Sequence, residues 1–251
     1  MTYRDKDCSS QHLQHTGVRV STAYGGRCSP HLVEIRKVGI VGAGAMGSGI
    51  AQVCTQTGWE TVLYDAFPES LKKGEESILS FWQRGIEKGK TGEVEVSSWR
   101  ANLRTSPKIE EASIGMDLII EAVPEKIDLK KSVFIELEGL APKEAVLATN
   151  TSGLSISEIA TEIQTPGRFV GLHFFNPVPL MPLLEIVKHG ETSGETIAIS
   201  KKVGESMGKT TILVNDVPGF ATSRLGVVLG NEAIRMLAEG VASASDIDTA
   251  M

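Results

Sequence analysis

The sequence RKVGIVGAGAMG occupies residues 36–47, and the run TVLYD follows it at residues 61–65. The first run opens with small and β-branched apolar residues, which are typical of a strand buried on both faces of a parallel sheet. It then reaches three glycines spaced G-x-G-x-x-G, and the residues between the two runs have the composition of a helix. The pattern predicts a strand, a tight turn, a helix and a second strand, in that order.

The three glycines each have a separate predicted role in holding a dinucleotide. Gly42 allows the tight turn, Gly44 lets a pyrophosphate approach the backbone, and Gly47 lets the helix pack closely on the strand. The N-terminus of that helix directs its free N–H groups at the phosphates. The predicted phosphate-binding loop consists of Gly42, Ala43, Gly44, Ala45, Met46 and Gly47.

Asp65 closes the second strand, 18 residues after Gly47. A carboxylate at this distance can accept hydrogen bonds from the adenosine ribose hydroxyls, and its charge repels a 2′-phosphate. The sequence therefore predicts NAD as the cofactor, in preference to NADP. The alternative is a glycine turn in some other α/β domain, but the strand, the helix and the acid together favour dinucleotide binding.

Composition and charge exclude several classes of protein. The net charge of −6 offers no basic surface for nucleic acid, and no apolar run reaches the roughly 18 residues that a membrane helix needs. The three cysteines are odd in number and lack C-x-x-C spacing, so we expect neither a disulfide framework nor a zinc site. Their usage indicates a reducing compartment. We expect a cytoplasmic protein, because Asp5 and Asp7 argue against a mitochondrial transit peptide.

The sequence divides into three segments. Residues 1–34 are polar and lack helix or strand periodicity, so we expect a disordered extension. The histidines in this segment have no acid or thiol at ligand spacing, and no metal site is expected. Residues 35–217 are predicted to form an α/β dinucleotide-binding domain. Residues 218–251 are expected to begin a helical C-terminal domain.

Strands and helices are predicted to alternate through the α/β domain. Two helices, residues 69–88 and 93–103, form an insertion between the second and third strands. The later strands are predicted at residues 117–121, 145–149, 168–175, 183–187 and 211–214, with helices at residues 126–140 and 194–207. Ligands in open α/β sheets bind at the carboxyl ends of such strands.

Residues 220–239 are predicted to form one long apolar helix, and another helix starts near Ser245, shortly before the sequence ends. Only the α/β domain is available in this sequence to cover the long helix. We therefore expect a truncated C-terminal domain whose long helix leaves apolar surface exposed.

His173 and Glu185 are the candidates for acid–base chemistry. Glu185 lies within the run LLEIV, where a strand normally carries an apolar residue, and an unpaired buried carboxylate is costly. A contact with His173 would explain both residues, because the carboxylate orients the imidazole and stabilises its protonated form. The other ring nitrogen is then a general base for an alcohol proton. The alternative for His173, which stands among aromatic residues, is an ordinary core position.

Ser152 follows a predicted strand in the polar turn NTS, residues 150–152. Its hydroxyl could hydrogen-bond the reacting oxygen of a substrate. It could equally cap the helix that starts near Ser155, and the sequence alone leaves both roles open.

Four motifs stand in the order and spacing of one enzyme family. They are GAGAMG at residues 42–47, NTS at residues 150–152, GLHFFNP at residues 171–177 and DVPGF at residues 216–220. Over residues 35–251 the sequence resembles the L-3-hydroxyacyl-CoA dehydrogenases. The resemblance implies a Rossmann-type domain with a helical insertion, joined to an all-helical domain that completes the active site and forms a homodimer. It also implies NAD-dependent oxidation of a short-chain (3S)-3-hydroxyacyl-CoA to the 3-oxoacyl-CoA.

The resemblance implies a role for each site residue. His173 is the general base, Glu185 is its partner, and Ser152 contacts the 3-oxygen of the substrate. The residues implied to line the NAD site, beyond the glycine loop, are Asp65, Glu125, Lys130, Ser152 and Asn176. Lys88, in the helical insertion, matches a lysine that meets coenzyme A.

Two positions depart from the family pattern. Ser223 stands where members often have an asparagine that polarises the substrate carbonyl. Phe81 stands, by ungapped counting, where some members have a serine that contacts coenzyme A. Neither change touches the base, so we expect altered substrate handling and retained chemistry.

Two other functions stay open at this point. A related β-hydroxyacid dehydrogenase would act on a free acid, and those enzymes usually rely on a lysine base. The other is a truncated NAD-binding protein without activity.

Overall fold

The computed structural model describes residues 34–251, so the expected disordered extension at residues 1–34 lies outside the described residues apart from Glu34. The strands are β1 (Lys37–Val41), β2 (Glu60–Tyr64), β3 (Leu103–Ser106), β4 (Leu118–Glu121), β5 (Val146–Thr149), β6 (Phe169–Phe174), β7 (Leu183–Lys188) and β8 (Thr210–Asn215). They form an eight-stranded sheet in the order β3-β2-β1-β4-β5-β6-β7-β8.

Helices connect and cover these strands. They are α1 (Ala45–Gln56), α2 (Pro68–Glu87), α3 (Glu93–Ala101), α4 (Ile127–Leu140), α5 (Ile156–Ala160), α6 (Gly194–Ser206), α7 (Thr222–Ala238) and α8 (Ala244–Ala250). Short 3-10 helices span Ile109–Ala112 and Pro166–Arg168. Each strand and helix predicted from residue 36 onward is present, and its ends agree with the prediction to within about two residues, the ordinary uncertainty of such boundaries.

Strands β1 to β6 run parallel, in the strand order of a doubly wound dinucleotide-binding sheet. β1 lies between β2 and β4, so the chain leaves β1 toward one edge of the sheet and later returns to the other side of it. This switch point opens a crevice at the carboxyl ends of β1 and β4, where ligands bind in such sheets. The architecture confirms the predicted Rossmann-type α/β fold.

The other edge of the sheet reverses direction. β7 runs antiparallel to β6, and β8 runs parallel to β7. In the antiparallel pair, His173 on β6 lies directly opposite Glu185 on β7. Directly opposed residues project from the same face of a sheet, so this register brings the two polar side chains together.

The helical insertion after β2 is shorter than predicted. α3 ends at Ala101, and β3 follows it as an edge strand that pairs in parallel with β2. The prediction of a helix through Leu103 is therefore wrong at this end. This four-residue edge strand has the sequence LRTS, in which one residue is apolar, so no continuous apolar run marks it.

Apolar side chains cover both faces of the sheet. On one face Trp82 of α2 meets Trp99 of α3, with ring centroids 5.9 Å apart. On the other face Phe134 of α4 meets Phe169 of β6 edge-on at 4.7 Å. Such aromatic pairs contribute about 0.5–1.5 kcal/mol beyond the area they bury, so the first helps to hold α2 against α3 and the second holds α4 on the sheet.

α7 follows the turn at Pro218-Gly219. Every residue of α7 is at least partly exposed, and Leu225 and Val228 are among its large exposed apolar side chains, as expected from the sequence. Phe220, predicted to begin this helix, is instead buried with a φ of +48°. Among residues 34–251, no helix is both long and apolar enough to cross a lipid bilayer.

Candidate active site

The loop between β1 and α1 has the geometry needed to hold a pyrophosphate. Gly42 has a φ of +108°, and a Cβ there would lie 2.7 Å from the carbonyl oxygen of Ala122. A Cβ on Gly47 would lie 1.7 Å from the carbonyl oxygen of Gly42, so α1 packs directly on the turn. A Cβ on Gly44, by contrast, would meet no atom within 4 Å. The first-turn N–H groups of α1 follow this open backbone, and the loop therefore fits a dinucleotide phosphate.

Asp65 lies beside the glycine loop. Its Oδ2 accepts a hydrogen bond of 2.8 Å from the N–H of Ala43, and its Oδ1 accepts one of 2.9 Å from the N–H of Phe67. Each carboxylate oxygen keeps a second lone pair for another donor. The half-buried acid is therefore fixed in place and still able to receive ribose hydroxyls.

His173 and Glu185 form a buried pair across β6 and β7. His173 Nδ1 lies 2.6 Å from Glu185 Oε2, and the His173 side chain packs against Phe175 and Phe220 with ring centroids 4.4 and 5.8 Å away. Glu185 is fully buried, whereas His173 keeps 6% of its surface exposed. The contact at Nδ1 fixes the orientation of the ring and leaves Nε2 for other chemistry.

The Glu185 carboxylate is also held from the start of α7. Its Oε1 accepts hydrogen bonds from the N–H groups of Ala221, at 3.2 Å, and Thr222, at 3.0 Å. Its Oε2 accepts a bond of 2.8 Å from the Thr222 hydroxyl. Burial raises the pKa of Glu185, but the hydrogen bonds from His173 and Thr222 outweigh burial and hold the pKa below its usual value of 4.5. The carboxylate is therefore charged at neutral pH.

A cavity of about 350 Å³ lies between the glycine loop and His173. It lies at the carboxyl ends of β4, β5 and β6 and reaches the start of α1. Its lining consists of Met46, Ala122, Val123, Glu125, Asn150, Ser152, His173, Phe174, Phe175 and Asn176. The structure thus brings Met46 of the glycine loop to the same cavity as His173 and three further candidate residues, Glu125, Ser152 and Asn176.

Glu125 connects this cavity to a buried ion pair. Its Oε1 accepts hydrogen bonds from the Thr151 hydroxyl and, at 2.9 Å, from the N–H of Ser152. Its Oε2 lies 3.3 Å from Lys130 Nζ. Lys130 is only 1% exposed and pairs with buried Glu121 at 2.7 Å. Lys130 therefore lies behind the residues that line the cavity, and Glu125 separates it from that space.

Ser152 and Ser223 are neighbours. The Ser223 hydroxyl donates a hydrogen bond of 3.2 Å to the carbonyl oxygen of Ser152, which brings the start of α7 next to the cavity. The alternative role of Ser152 as a helix cap is excluded, because the side chain of Ser155 caps α5 by accepting from the N–H of Glu158.

Comparison with known families decides the class of protein. Residues 37–217 match the 3-hydroxyacyl-CoA dehydrogenase NAD binding domain, and residues 219–251 match the C-terminal domain of the same enzymes. The chain belongs to the 3-hydroxyacyl-CoA dehydrogenase family. The predicted family, the oxidoreductase class and NAD as the cofactor are thereby confirmed.

Individual relatives agree with this family. The dehydrogenase is 43% identical over 224 residues to a probable 3-hydroxyacyl-CoA dehydrogenase of Caenorhabditis elegans, covering 87% of this chain and 74% of the relative. It is 41% identical over 219 residues to a probable 3-hydroxybutyryl-CoA dehydrogenase of Bacillus subtilis, covering 87% and 76%. The solved structure of (S)-3-hydroxybutyryl-CoA dehydrogenase from Ralstonia eutropha superposes with a TM-score of 0.82 at 37% identity, covering 85% and 75%.

One candidate residue of this dehydrogenase lies apart from the cavity. Lys88 is exposed at the C-terminal end of α2, outside the residues that line the cavity.

Two residues that support the site, Glu121 and Thr222, were not predicted from the sequence. Glu121 could have been predicted, because it is a carboxylate at the end of an apolar strand. The same argument singled out Glu185, which lies within an apolar strand. Thr222 gave no signal, because a threonine at a helix start is ordinary.

Proposed function

We propose that this dehydrogenase oxidises short-chain (3S)-3-hydroxyacyl-CoA to 3-oxoacyl-CoA with NAD, using His173 as the general base. The observation that carries the proposal is the 2.6 Å contact between His173 Nδ1 and Glu185 Oε2, beside a cavity that also borders the glycine loop. Oxidising an alcohol removes a hydride and a proton, and a base next to the cofactor site receives the proton.

In the proposed reaction, Glu185 holds Nδ1 of His173, and Nε2 accepts the proton of the substrate 3-hydroxyl. The C3–H bond breaks with its electron pair while the C3–O bond becomes a carbonyl. Bound NAD supplies the acceptor for that hydride. The charged carboxylate of Glu185 stabilises the imidazolium that forms, and the lowered pKa of Glu185 keeps that charge in place at neutral pH.

Three residues have proposed roles toward the substrate. Ser152 lines the cavity, where it would donate a hydrogen bond to the 3-oxygen and would also border the cofactor. Ser223 lies beside Ser152 and polarises the substrate carbonyl, with a water bridging the distance that its short side chain leaves. Lys88 contacts coenzyme A. The short acyl chain is supported by two relatives whose names specify 3-hydroxybutyryl-CoA.

The cofactor is proposed to lie across the switch point of the sheet. Residues 42–47 would hold the pyrophosphate through backbone N–H groups, and Asp65 would receive the adenosine ribose hydroxyls. Glu125 and Asn176 line the cavity where the nicotinamide end would lie. Lys130 supports Glu125 from behind through their 3.3 Å contact.

The organisation of the molecule completes the proposal. In this proposal, residues 35–217 form the NAD-binding domain and residues 218–251 belong to the helical C-terminal domain. The exposed apolar side chains of α7 support association as a homodimer. The cysteine pattern supports a cytoplasmic location, which fractionation of cells that make the protein would test.

The substitution His173→Gln tests the base. NADH binding, followed by nicotinamide fluorescence, should stay near that of the unmutated protein, while turnover falls by about 10²–10⁴. His189→Gln is the matched control, because His189 is also 6% exposed and its ring contacts the carbonyl of Pro166, away from the cavity lining. Near-normal turnover in His173→Gln would assign the proton acceptor to another group.

The same assay separates the alternatives. A free β-hydroxyacid dehydrogenase would need a lysine base, but Lys130 is paired with Glu121 behind the cavity lining. Faster oxidation of free 3-hydroxybutyrate than of its CoA thioester would favour that enzyme. A protein without activity would bind NADH in the fluorescence titration and oxidise neither compound.

A further inference from the structure

Residues at the start of α7 contribute directly to the His–Glu pair. Besides His173, three hydrogen-bond donors converge on the Glu185 carboxylate, and these three belong to Ala221 and Thr222. The two backbone N–H groups donate to Oε1, so any residues at these positions could supply them. The third donor is the Thr222 hydroxyl, which belongs to this side chain specifically.

The Thr222 hydroxyl and His173 share one oxygen. Glu185 Oε2 lies 2.8 Å from Thr222 Oγ1 and 2.6 Å from His173 Nδ1. A donor that binds a carboxylate oxygen draws negative charge toward itself and leaves less for the other donor on that oxygen. The hydroxyl therefore competes with the imidazole for the charge of Glu185.

We propose that Thr222 is a positioning residue that limits how strongly Glu185 stabilises the imidazolium of His173. The proposal rests on the proposed function, in which His173 is the base. Through its hydroxyl, the start of α7 adjusts how readily His173, on β6, accepts a proton. Thr222 touches neither substrate nor cofactor in this role and acts only through Glu185.

The groups that face Glu185 determine whether a change in the pH dependence can be assigned to the His–Glu pair. β6 contributes His173 opposite Glu185, and β8 contributes Ile212 as its register partner on the other side. α7 contributes Ala221 and Thr222, neither of which titrates. Among residues 34–251, His173 is the one basic side chain with a nitrogen within 4 Å of a Glu185 carboxylate oxygen. A shift in the pH dependence can therefore be assigned to this pair.

The direction of the effect follows from the competition. Removing the hydroxyl leaves more charge on Oε2 for His173, which stabilises the imidazolium. Alcohol oxidation needs the neutral ring, so the acid limb of the pH–rate profile should move to higher pH. A change of one charge-assisted hydrogen bond, partly compensated by the remaining donors, corresponds to a shift of about 0.5–1 pH unit.

The test compares Thr222→Val with Thr222→Ser in the whole chain. Valine has nearly the shape of threonine without the hydroxyl, and serine keeps the hydroxyl. We expect the acid limb of Thr222→Val to lie about 0.5–1 pH unit above that of the unmutated protein. The acid limb of Thr222→Ser should lie where it does in the unmutated protein. A limb that stays in place, or moves to lower pH, in Thr222→Val would overturn the proposal.

A second measurement does not depend on turnover. The His173 ring can be titrated by NMR in both variants, with its signal assigned by loss in His173→Gln. The same upward displacement in Thr222→Val, and its absence in Thr222→Ser, is expected. If His173→Gln keeps its turnover, the proposed base is wrong. If His173→Gln is inactive but neither readout moves in Thr222→Val, only the role of Thr222 is wrong.

Discussion

The backbone N–H of Ala43 donates a hydrogen bond of 2.8 Å to Oδ2 of Asp65, so the acid after β2 is tied to the glycine loop after β1. The other oxygen, Oδ1, accepts from the N–H of Phe67 at the start of α2. Asp65 therefore has two properties. It is an acid that can repel a 2′-phosphate, and its hydrogen bonds hold the glycine loop to the start of α2. The two properties can be separated in part, because asparagine lacks the charge and keeps one acceptor oxygen, which serves one of the two backbone N–H groups.

Asp65→Asn should narrow the preference for NADH over NADPH by about ten- to a hundredfold, because the 2′-phosphate no longer meets a like charge. Asp65→Ala should narrow the preference too and weaken NADH binding further, since both backbone hydrogen bonds are lost. Fluorescence titration with the two reduced cofactors measures each Kd. Equal Kd values for NADH and NADPH in the unmutated protein would contradict the role of Asp65.

Glu185→Gln should slow alcohol oxidation and move the acid limb of its pH–rate profile to lower pH. The reason is that a neutral amide stabilises the His173 imidazolium less than a carboxylate does. This shift is opposite in sign to the one expected for Thr222→Val. The pH–rate profiles of both variants, collected under one set of conditions, test the two opposite shifts. A shift of the Glu185→Gln acid limb to higher pH would contradict the proposed interaction between His173 and Glu185.

Glu185 should also make the stability of the fold depend on pH. Its pKa is lower in the folded protein than its ordinary value of 4.5. A lowered folded pKa stabilises the fold above the unfolded pKa, and this contribution is lost as the pH falls through the folded value. The Tm difference between the unmutated protein and Glu185→Gln should therefore be largest above about pH 5 and shrink below it. Other carboxylates titrate in both proteins, so a difference that persists unchanged into acid would rule out this contribution.

The exposed apolar side chains of α7 should drive association. Val228 is 59% exposed on this helix, and Val228→Lys should lower both dye binding and concentration-dependent assembly because it interrupts the apolar surface. The control is Val94→Lys in α3, where the valine is 84% exposed and stands among polar residues. Light scattering and hydrophobic dye fluorescence measure the two effects. Equal changes in the two variants would show that α7 has no special part in assembly.

Much of the fold could be predicted because buried parallel strands leave continuous apolar runs in the sequence. Two features escaped for a physical reason. β3 is a short edge strand with one apolar residue in four, so no apolar run marks it. Phe220 continues the apolar pattern of the following helix, yet a contact distant in sequence, its packing against His173, draws it into the core. Local pattern cannot report such a contact.

The candidate site was predictable to a similar extent. Glu185 stood out because a carboxylate inside an apolar strand needs a partner, and the antiparallel register supplies His173. Thr222 did not stand out, and Lys130 was named only through the family resemblance. Lysine and threonine are ordinary in and around helices, and only the three-dimensional arrangement buries Lys130 against Glu121 or directs Thr222 at Glu185.

The register of β6 against β7 has a consequence for how such a sequence can vary in length. Residues 175–182 join the two strands, and insertions there would leave each strand residue opposite its present partner. A deletion inside β7 would instead turn an apolar neighbour, Leu184 or Ile186, toward the position of Glu185, because one step along a strand reverses the face. Natural length variation in this region should therefore be confined to the joining loop, and the twelve-residue interval from His173 to Glu185 can change only by what that loop gains or loses.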